Sequence, residues 1–202
     1  MKNKNLPNKL TNLRLIISVI IIILLLFPFS MLNINFGKYL IEDTLIIDVK
    51  MIIAGVLFTI GTITDFLDGY LARKYNNESD YGKLMDPIAD KLLVNSVLII
   101  LSSMGYIHAV VPVIVIMRDM VVNTLRMLAV NQGSIEAAKT TGKFKTAFLM
   151  IGIILKLFGN LPFGIINIEA DDFFIIAGTA LSLISGFEYI IAYKKYLKTK
   201  KD

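Results

Sequence analysis

The 202-residue sequence contains no cysteine and a single histidine, His108. Without cysteine there is no disulfide framework, no thiolate nucleophile and no thiolate ligand for a metal ion. A single histidine likewise excludes histidine-based catalytic triads and histidine-rich metal sites. Any metal ion bound by this chain must therefore be held by oxygen atoms.

Charged residues are also scarce, at 18% of the chain, whereas 55% of the residues are hydrophobic. The mean hydropathy is +0.68, and several apolar runs approach the roughly 20 residues that a helix needs to cross a bilayer. These features exclude a soluble, secreted or disordered protein. They predict an all-α, polytopic membrane protein whose single domain covers residues 1–202. Its six transmembrane segments are expected at about 13–32, 49–72, 84–104, 107–130, 144–160 and 172–193.

Lysine and arginine are unevenly distributed among the connecting segments. They cluster near the N-terminus, at 73–83, at 131–145 and in the C-terminal tail, whereas 102–108 and 159–172 have none. The positive-inside rule predicts that both termini lie in the cytoplasm, with the protein in the cell (plasma) membrane. The net charge of +5 favours contact with anionic membrane lipids. A nucleic-acid partner is not expected, because no basic stripe alternates with aromatic residues outside the spans.

Four aspartates stand at the adjoining ends of the second and third predicted spans, where an ionisable group costs about 2.5–3.5 kcal/mol to insert. Asp65 and Asp68 are separated by three positions, and Asp86 and Asp90 by four. Each pair therefore shares one face of its helix. Because the connecting loop is short, the two helices are expected to be antiparallel neighbours. Their four carboxylates are thus predicted to converge near the cytoplasmic surface.

Such a cluster requires a cation, because close carboxylates repel one another. One interpretation is a set of ion pairs with Arg73, Lys91 or Arg118. The other is one or two divalent ions such as Mg²⁺, which prefers oxygen ligands. Gly69 and Gly82 favour the divalent ions, because glycine lets a ligand or a second backbone approach closely.

The window from Asp65 to Asp90 reads Asp-x-x-Asp-Gly-x-x-Ala-Arg, then eight residues, then Gly-x-x-x-Asp-x-x-x-Asp. This pattern resembles the signature of the CDP-alcohol phosphatidyltransferases at all of its fixed positions. The resemblance implies a six-helix membrane enzyme that is commonly a homodimer. It also implies a reaction in which an alcohol attacks the lipid-side phosphorus of a CDP-linked lipid and CMP leaves.

The same resemblance implies roles for individual residues. Asp65, Asp68 and Asp86 are expected to hold one Mg²⁺ ion, or Mn²⁺, and Asp65, Asp86 and Asp90 a second. Asp90 is also expected to be the catalytic general base, which takes the proton of the attacking hydroxyl. The implied nucleotide pocket consists of Gly69, Ala72, Arg73, Ser79 and Gly82.

Asn8 and Thr11 belong to an N-terminal Pro-Asn-x-x-Thr-x-x-Arg sequence. It is similar to the opening of phosphatidylglycerophosphate synthases, a branch of that family, and this implies that both side chains approach the CDP-lipid. The alternative is a juxtamembrane helix that Asn and Pro merely cap.

A second group of cations accompanies the aspartates. Arg118 and Arg126 are eight residues apart, close to one helix face, and Lys143 and Lys145 stand in a Gly-Lys-x-Lys-Thr sequence that starts the fifth span. Arginine at membrane depth rarely faces lipid, so these residues should meet carboxylates or a phosphate. The arrangement also resembles the phosphatidylglycerophosphate synthases. It implies that glycerol 3-phosphate accepts the phosphatidyl group of CDP-diacylglycerol, although both lysines also suit an inside-positive flank.

Other functions stay open at this point. The acceptor alcohol could instead be inositol phosphate, serine or a second lipid. From another class, a cation transporter could use the aspartates as an ion site, but such a site belongs near the membrane midplane.

Four features have structural interpretations only. Lys156 is expected to extend its ammonium to the membrane surface, Glu188 to pair with a lysine or arginine, and His108 to lie exposed in an outer loop. The recurrence of Gly178, Ser182 and Gly186 predicts a stripe for close helix packing.

Overall fold

The computed structural model describes residues 6–34, 36–41, 45–75, 80–131 and 140–197. Side chains are described over 9–34, 36–39, 48–66, 87–131 and 140–194, and for Met85. The described chain forms six α-helices and one short β-hairpin. The elements are α1 (Leu6–Leu26), β1 (Lys38–Ile41), β2 (Leu45–Asp48), α2 (Val49–Tyr75), α3 (Asp80–Ser103), α4 (Val110–Asn131), α5 (Thr140–Leu157) and α6 (Ala170–Leu197).

Three of these helices contain segments that are long and apolar enough to cross a membrane, namely Lys9–Leu26, Val49–Phe66 and Ala170–Lys194. Helices α3, α4 and α5 have 24, 22 and 18 residues, lengths that also suit a bilayer. Their charged residues lower the mean hydropathy. The sequence therefore predicts the number of long helices correctly, and α1, α2 and α6 carry the strongest membrane signal.

The first predicted span is wrong at its C-terminal bound, because α1 ends at Leu26 rather than near residue 32. Pro28 explains the difference, since proline lacks a backbone N–H and disfavours helix in the residue before it. Residues Phe29–Leu32 form a 3₁₀ turn instead, which ends at Asn33 in the left-handed conformation.

The hairpin between α1 and α2 is an addition to the expected all-α fold. Its strands are antiparallel, with Lys38 opposite Asp48 and Ile41 opposite Leu45. Asp48 also accepts a hydrogen bond from the backbone N–H of Lys50, 2.9 Å away, at the start of α2. The hairpin is consistent with the β-branched and aromatic residues of its strands.

The helices pack in two groups. Helix α1 contacts both α2 and α3, and α6 contacts both α4 and α5, while contacts of α2 with α5 and of α3 with α4 join the groups. Most buried apolar residues form one core across all of these helices, and a smaller cluster lies between α4 and α6. That smaller cluster consists of Val122, Leu125, Ala129, Tyr189 and Tyr193.

The predicted stripe of small residues on α6 is confirmed as a packing surface. A Cβ atom on Gly178 would stand 3.0 Å from the backbone nitrogen of Leu149 in α5. One on Gly186 would stand 3.1 Å from Cγ of Arg118 in α4, and Ser182 between them is fully buried. The stripe lets α6 approach both of its neighbours closely.

Helices α5 and α6 are joined by ion pairs where α5 ends and α6 begins, an end of the bundle that we call the distal end. The Lys156 ammonium lies 2.8 Å from Asp171 Oδ2 and 2.8 Å from Asp172 Oδ1. The sequence does not predict these two partners of Lys156. Both carboxylates also lie in the first turn of α6, where the partial positive charge of the helix N-terminus stabilises them.

His108 is exposed, as predicted, and its Nδ1 accepts a hydrogen bond from the backbone N–H of Val110 at the start of α4. Its role in the described structure is therefore that of a helix cap.

Candidate active site

Most of the predicted site residues lie at the other end of the bundle, where α1, α3 and α5 begin and α2, α4 and α6 end. We call this the site end. Polar contacts join these helices there: Arg14 of α1 bonds to Asp65 of α2, Lys145 of α5 to Asp119 of α4, and Thr141 of α5 to Glu188 of α6. These contacts are consistent with an antiparallel arrangement of α1 with α2 and of α5 with both α4 and α6.

Asp65 forms an ion pair with a cation that the sequence interpretation did not consider as its partner. Its Oδ1 lies 2.8 Å from NH1 of Arg14, whose side chain is fully buried. Thr11 is also fully buried, one turn before Arg14 on the same face of α1. The alternative to divalent ions had named only Arg73, Lys91 or Arg118 as cationic partners, so α1 has a part in holding Asp65 that the sequence analysis did not predict.

Asp90 lies on α3 and carries a buried carboxylate. The charges of Asp65, Arg14 and Lys145 all act on it. Its Oδ1 has no hydrogen-bond partner among the described residues. A buried carboxylate oxygen without a partner is costly, and it is the type of atom that binds a hard cation or accepts a proton. The residue therefore fits both of the roles predicted for it.

Several predicted residues fall where the side chains are not described. The backbones of Asn8, Asp68, Gly69, Ala72, Arg73, Gly82 and Asp86 lie in helices α1, α2 and α3, but their side chains are outside the described set. Ser79 is outside the described residues altogether. Among the side chains that are described, no group of three acidic or histidine residues is placed to hold a metal ion. The convergence of four carboxylates stays a prediction.

A cavity of about 320 Å³ opens beside Asp90 between α3, α4, α5 and α6. All four predicted phosphate-binding residues line it. Its charged lining comprises five cations and two carboxylates, namely Lys91, Arg118, Arg126, Lys143, Lys145, Asp90 and Asp119. Such an excess of positive charge in a partly buried space favours an anionic ligand.

Arg118 is held by polar atoms on two helices. Its NH1 lies 2.8 Å from Oδ1 of the adjacent Asp119, and its NH2 donates a hydrogen bond to Ser185 of α6. Gly142 makes room for this guanidinium, because a Cβ atom there would stand 3.2 Å from NH2. The Nε of Arg118 has no hydrogen-bond partner in the described part of the chain, so this buried donor is left for a ligand.

Arg126 contacts Tyr189 of α6. Its NH2 donates a hydrogen bond of 2.5 Å to the phenol oxygen, and its guanidinium carbon lies 5.1 Å from the centre of the ring. Its Nε, like that of Arg118, is buried without a partner among the described residues.

The two lysines that were predicted to bind phosphate differ in their surroundings. Lys145 is buried, and its ammonium lies 2.8 Å from the same Asp119 oxygen that Arg118 contacts. Lys143 is exposed at the edge of the cavity. Asp119 therefore fixes two cations of the cavity, one from α4 and one from α5.

Comparison with known proteins identifies the family of this chain. The family model described as CDP-alcohol phosphatidyltransferase matches residues 4–184. The chain belongs to the CDP-alcohol phosphatidyltransferase family. It is 35% identical to a CDP-diacylglycerol–glycerol-3-phosphate 3-phosphatidyltransferase of Bacillus subtilis over 195 residues. These residues are 96% of this chain and 98% of that protein.

Two further relatives carry the same name. The protein of Mycoplasma pneumoniae is 40% identical over 155 residues, which are 77% of this chain and 68% of that protein. The protein of Rickettsia felis is 33% identical over 196 residues, which are 96% of this chain and 98% of that protein. In this member of the family, Asp90 and the predicted phosphate-binding residues line one cavity between α3, α4, α5 and α6.

Sequence reasoning missed the residues that hold the arginines from α6. Ser185 and Tyr189 are spaced by four positions and so face the same side of that helix. Both are buried, and Ser182, one turn earlier, continues the row. A polar row on an otherwise apolar helix is a signal that sequence alone contains, but its partners on α4 become evident only from helix packing.

Proposed function

We propose that this protein is a membrane phosphatidyltransferase that converts CDP-diacylglycerol and glycerol 3-phosphate to phosphatidylglycerophosphate and CMP. The observation that carries the proposal is the cationic cavity with Asp90 in its wall. A phosphate group bound by Arg118 and Arg126 would bring the attached alcohol close to a carboxylate. The names of the relatives support the same pair of substrates.

The proposed reaction is a displacement at phosphorus. A hydroxyl of glycerol 3-phosphate attacks the phosphorus that bears diacylglycerol, a new P–O bond forms, and the bond from that phosphorus to the CMP oxygen breaks. Asp90 takes the proton of the attacking hydroxyl, because it has a buried oxygen without a partner among the described residues. The cavity cations hold the acceptor so that its hydroxyl is aimed at the lipid substrate.

The resident cofactor of this proposal is Mg²⁺, or Mn²⁺, as two ions. Asp65, Asp68, Asp86 and Asp90 would hold them, and the unpartnered Oδ1 of Asp90 supports this assignment. The ions would stabilise negative charge on the pyrophosphate. Asn8, Thr11, Gly69, Ala72, Arg73, Ser79 and Gly82 would bind the CDP-lipid.

The size and charge of the cavity support a small, phosphate-bearing acceptor. A volume of about 320 Å³ is near the lower end of the range for ligand sites. Serine carries no phosphate to match five cations, and inositol phosphate is bulkier than glycerol 3-phosphate. A cation transporter is disfavoured because the cavity beside Asp90 carries more cations than carboxylates, and because the relatives are named as transferases.

The topology that fits this function has six transmembrane helices in the plasma membrane and both termini in the cytoplasm. The site end would then face the cytoplasm, where soluble glycerol 3-phosphate reaches it. The lysine-rich loops at this end support that orientation. We also propose that the protein is a homodimer surrounded by membrane lipids, which cross-linking in intact membranes would test.

An acceptor panel tests the reaction. Full-length protein in detergent micelles is supplied with CDP-diacylglycerol, Mg²⁺ and one labelled acceptor at a time: glycerol 3-phosphate, inositol phosphate or serine. We expect CMP release and a labelled lipid with glycerol 3-phosphate, loss of both after chelation by EDTA, and recovery when Mg²⁺ or Mn²⁺ is restored. Product from serine or inositol phosphate alone would overturn the assignment of glycerol 3-phosphate as the acceptor. Activity that survives EDTA would overturn the assignment of a metal cofactor.

A further inference from the structure

Tyr189 of α6 contacts both predicted phosphate-binding arginines. Its side chain is 1% exposed and borders the cavity. Its phenol oxygen accepts the hydrogen bond from NH2 of Arg126. The guanidinium carbons of Arg126 and Arg118 lie 5.1 and 5.5 Å from the centre of its ring, within the range of a cation–π interaction.

Ser185, one turn before Tyr189, completes the contact with the other arginine. It accepts a hydrogen bond from NH2 of Arg118 and is fully buried. The same helix face thus supplies one oxygen acceptor to each guanidinium. Each of these contacts uses NH2 and leaves the buried Nε donor without a partner among the described residues.

We infer that Tyr189 is a positioning residue that fixes the guanidinium groups of Arg118 and Arg126 for the phosphate of the acceptor. This inference rests on the proposed function. A free arginine side chain loses rotamer entropy when it is immobilised. If Tyr189 already immobilises the arginines, this cost is not incurred when the acceptor binds.

A purely structural role for Tyr189 is the competing explanation. Its ring also stacks on Tyr193, with 5.7 Å between the ring centres, and it packs in the apolar cluster between α4 and α6. Removing the whole ring would disturb that packing whatever its effect on the arginines. The test must therefore remove the hydroxyl alone and must compare the two substrates.

The test compares Tyr189→Phe with Tyr193→Phe in the full-length protein. Both variants remove one hydroxyl from a buried tyrosine of α6, but only Tyr189 borders the cavity. We expect Tyr189→Phe to raise the KM for glycerol 3-phosphate about tenfold. The KM for CDP-diacylglycerol should stay within about twofold of the wild type, and Tyr193→Phe should leave both KM values within the same margin.

A second variant keeps the test decisive if Tyr189→Phe folds poorly. Ser185→Ala removes the acceptor for Arg118 and should also raise the KM for glycerol 3-phosphate selectively. An unchanged KM in a folded Tyr189→Phe variant, or equal rises for both substrates, would overturn the inference.

Phosphate binding separates failure of this inference from failure of the proposed function. Calorimetry with inorganic phosphate needs no turnover, and Tyr189→Phe should weaken that binding relative to the wild type and to Tyr193→Phe. If the wild type makes no product from glycerol 3-phosphate, the proposed function fails. If phosphate binding is equal in all three proteins, the role of Tyr189 fails.

Discussion

The ion pairs at the distal end of the bundle differ from those at the site end in how completely the buried charged atoms are partnered. At the distal end, the ammonium of Lys156 lies 2.8 Å from the carboxylates of both Asp171 and Asp172. At the site end, cations outnumber carboxylates around the cavity. Buried atoms of Asp90, Arg118 and Arg126 there have no partner in the described part of the chain.

This difference separates two uses of buried charge in one membrane protein. Charged atoms that are paired within the chain join two helices without a ligand. Charges that are left in excess beside a cavity make the folded chain less stable on its own. The free-energy cost of removing them from water is not offset by a partner of opposite charge. They become favourable when a ligand of opposite charge binds. The four predictions below test that division, beginning with the largest expected effect.

Asp90→Asn should remove the proton acceptor at the site end. We expect turnover to fall by about 10²- to 10⁴-fold, with binding of CDP-diacylglycerol retained, as measured by steady-state kinetics and a lipid-binding assay. Asp172→Asn makes the same chemical change at the distal end and should leave turnover close to that of the wild type. Near-normal turnover of Asp90→Asn would exclude its role as general base.

Arg118→Ala should weaken binding of the acceptor more than binding of the lipid substrate. Loss of a charge-assisted contact to phosphate should raise the KM for glycerol 3-phosphate by about 10- to 100-fold, with a much smaller change for CDP-diacylglycerol. Steady-state titration of each substrate at saturation of the other measures this. If both KM values rise equally, the excess charge at the site end does not bind the acceptor.

Lys156→Met should reduce stability without changing either KM. The substitution leaves Asp171, which is buried, without its cation. We expect a loss of about 2 kcal/mol, below the value for a fully buried pair, because the side chain of Asp172 is 43% exposed. Thermal unfolding measures the loss, and the double variant Lys156→Met/Asp171→Asn should recover part of it. A selective change in KM would show that the distal end is coupled to the site.

The last prediction compares two glycines of α5. A Cβ atom on Gly152 would stand 2.9 Å from the backbone nitrogen of Ile175, which cannot move freely, so Gly152→Ala should cost about 1–3 kcal/mol of stability. A Cβ atom on Gly142 would meet the mobile end of Arg118 instead. Gly142→Ala should therefore raise the KM for glycerol 3-phosphate about threefold with little change in unfolding. The reverse pattern would contradict the division between the two ends.

Much of the fold and of the cavity could be predicted from sequence, for identifiable reasons. Long apolar runs predict six long helices, because each must satisfy its own backbone hydrogen bonds in lipid. Arg118 and Arg126 are close to one face by helical periodicity, and short connections bring Lys143 and Lys145 to the same end. The C-terminal end of α1 and the hairpin were not predicted, because they depend on local turns such as the one at Pro28.

The sequence by itself determined the candidate site residues, because the spacing of the aspartates, of the two arginines and of the two lysines can be read within single helices. Only the tertiary structure decided which helix supplies each partner. It paired Arg14 with Asp65, Lys156 with Asp171 and Asp172, and Tyr189 with Arg126. Spacing fixes neighbours within a helix, but contacts between helices depend on which faces pack together and at what depth, and those follow from the burial of all six helices at once.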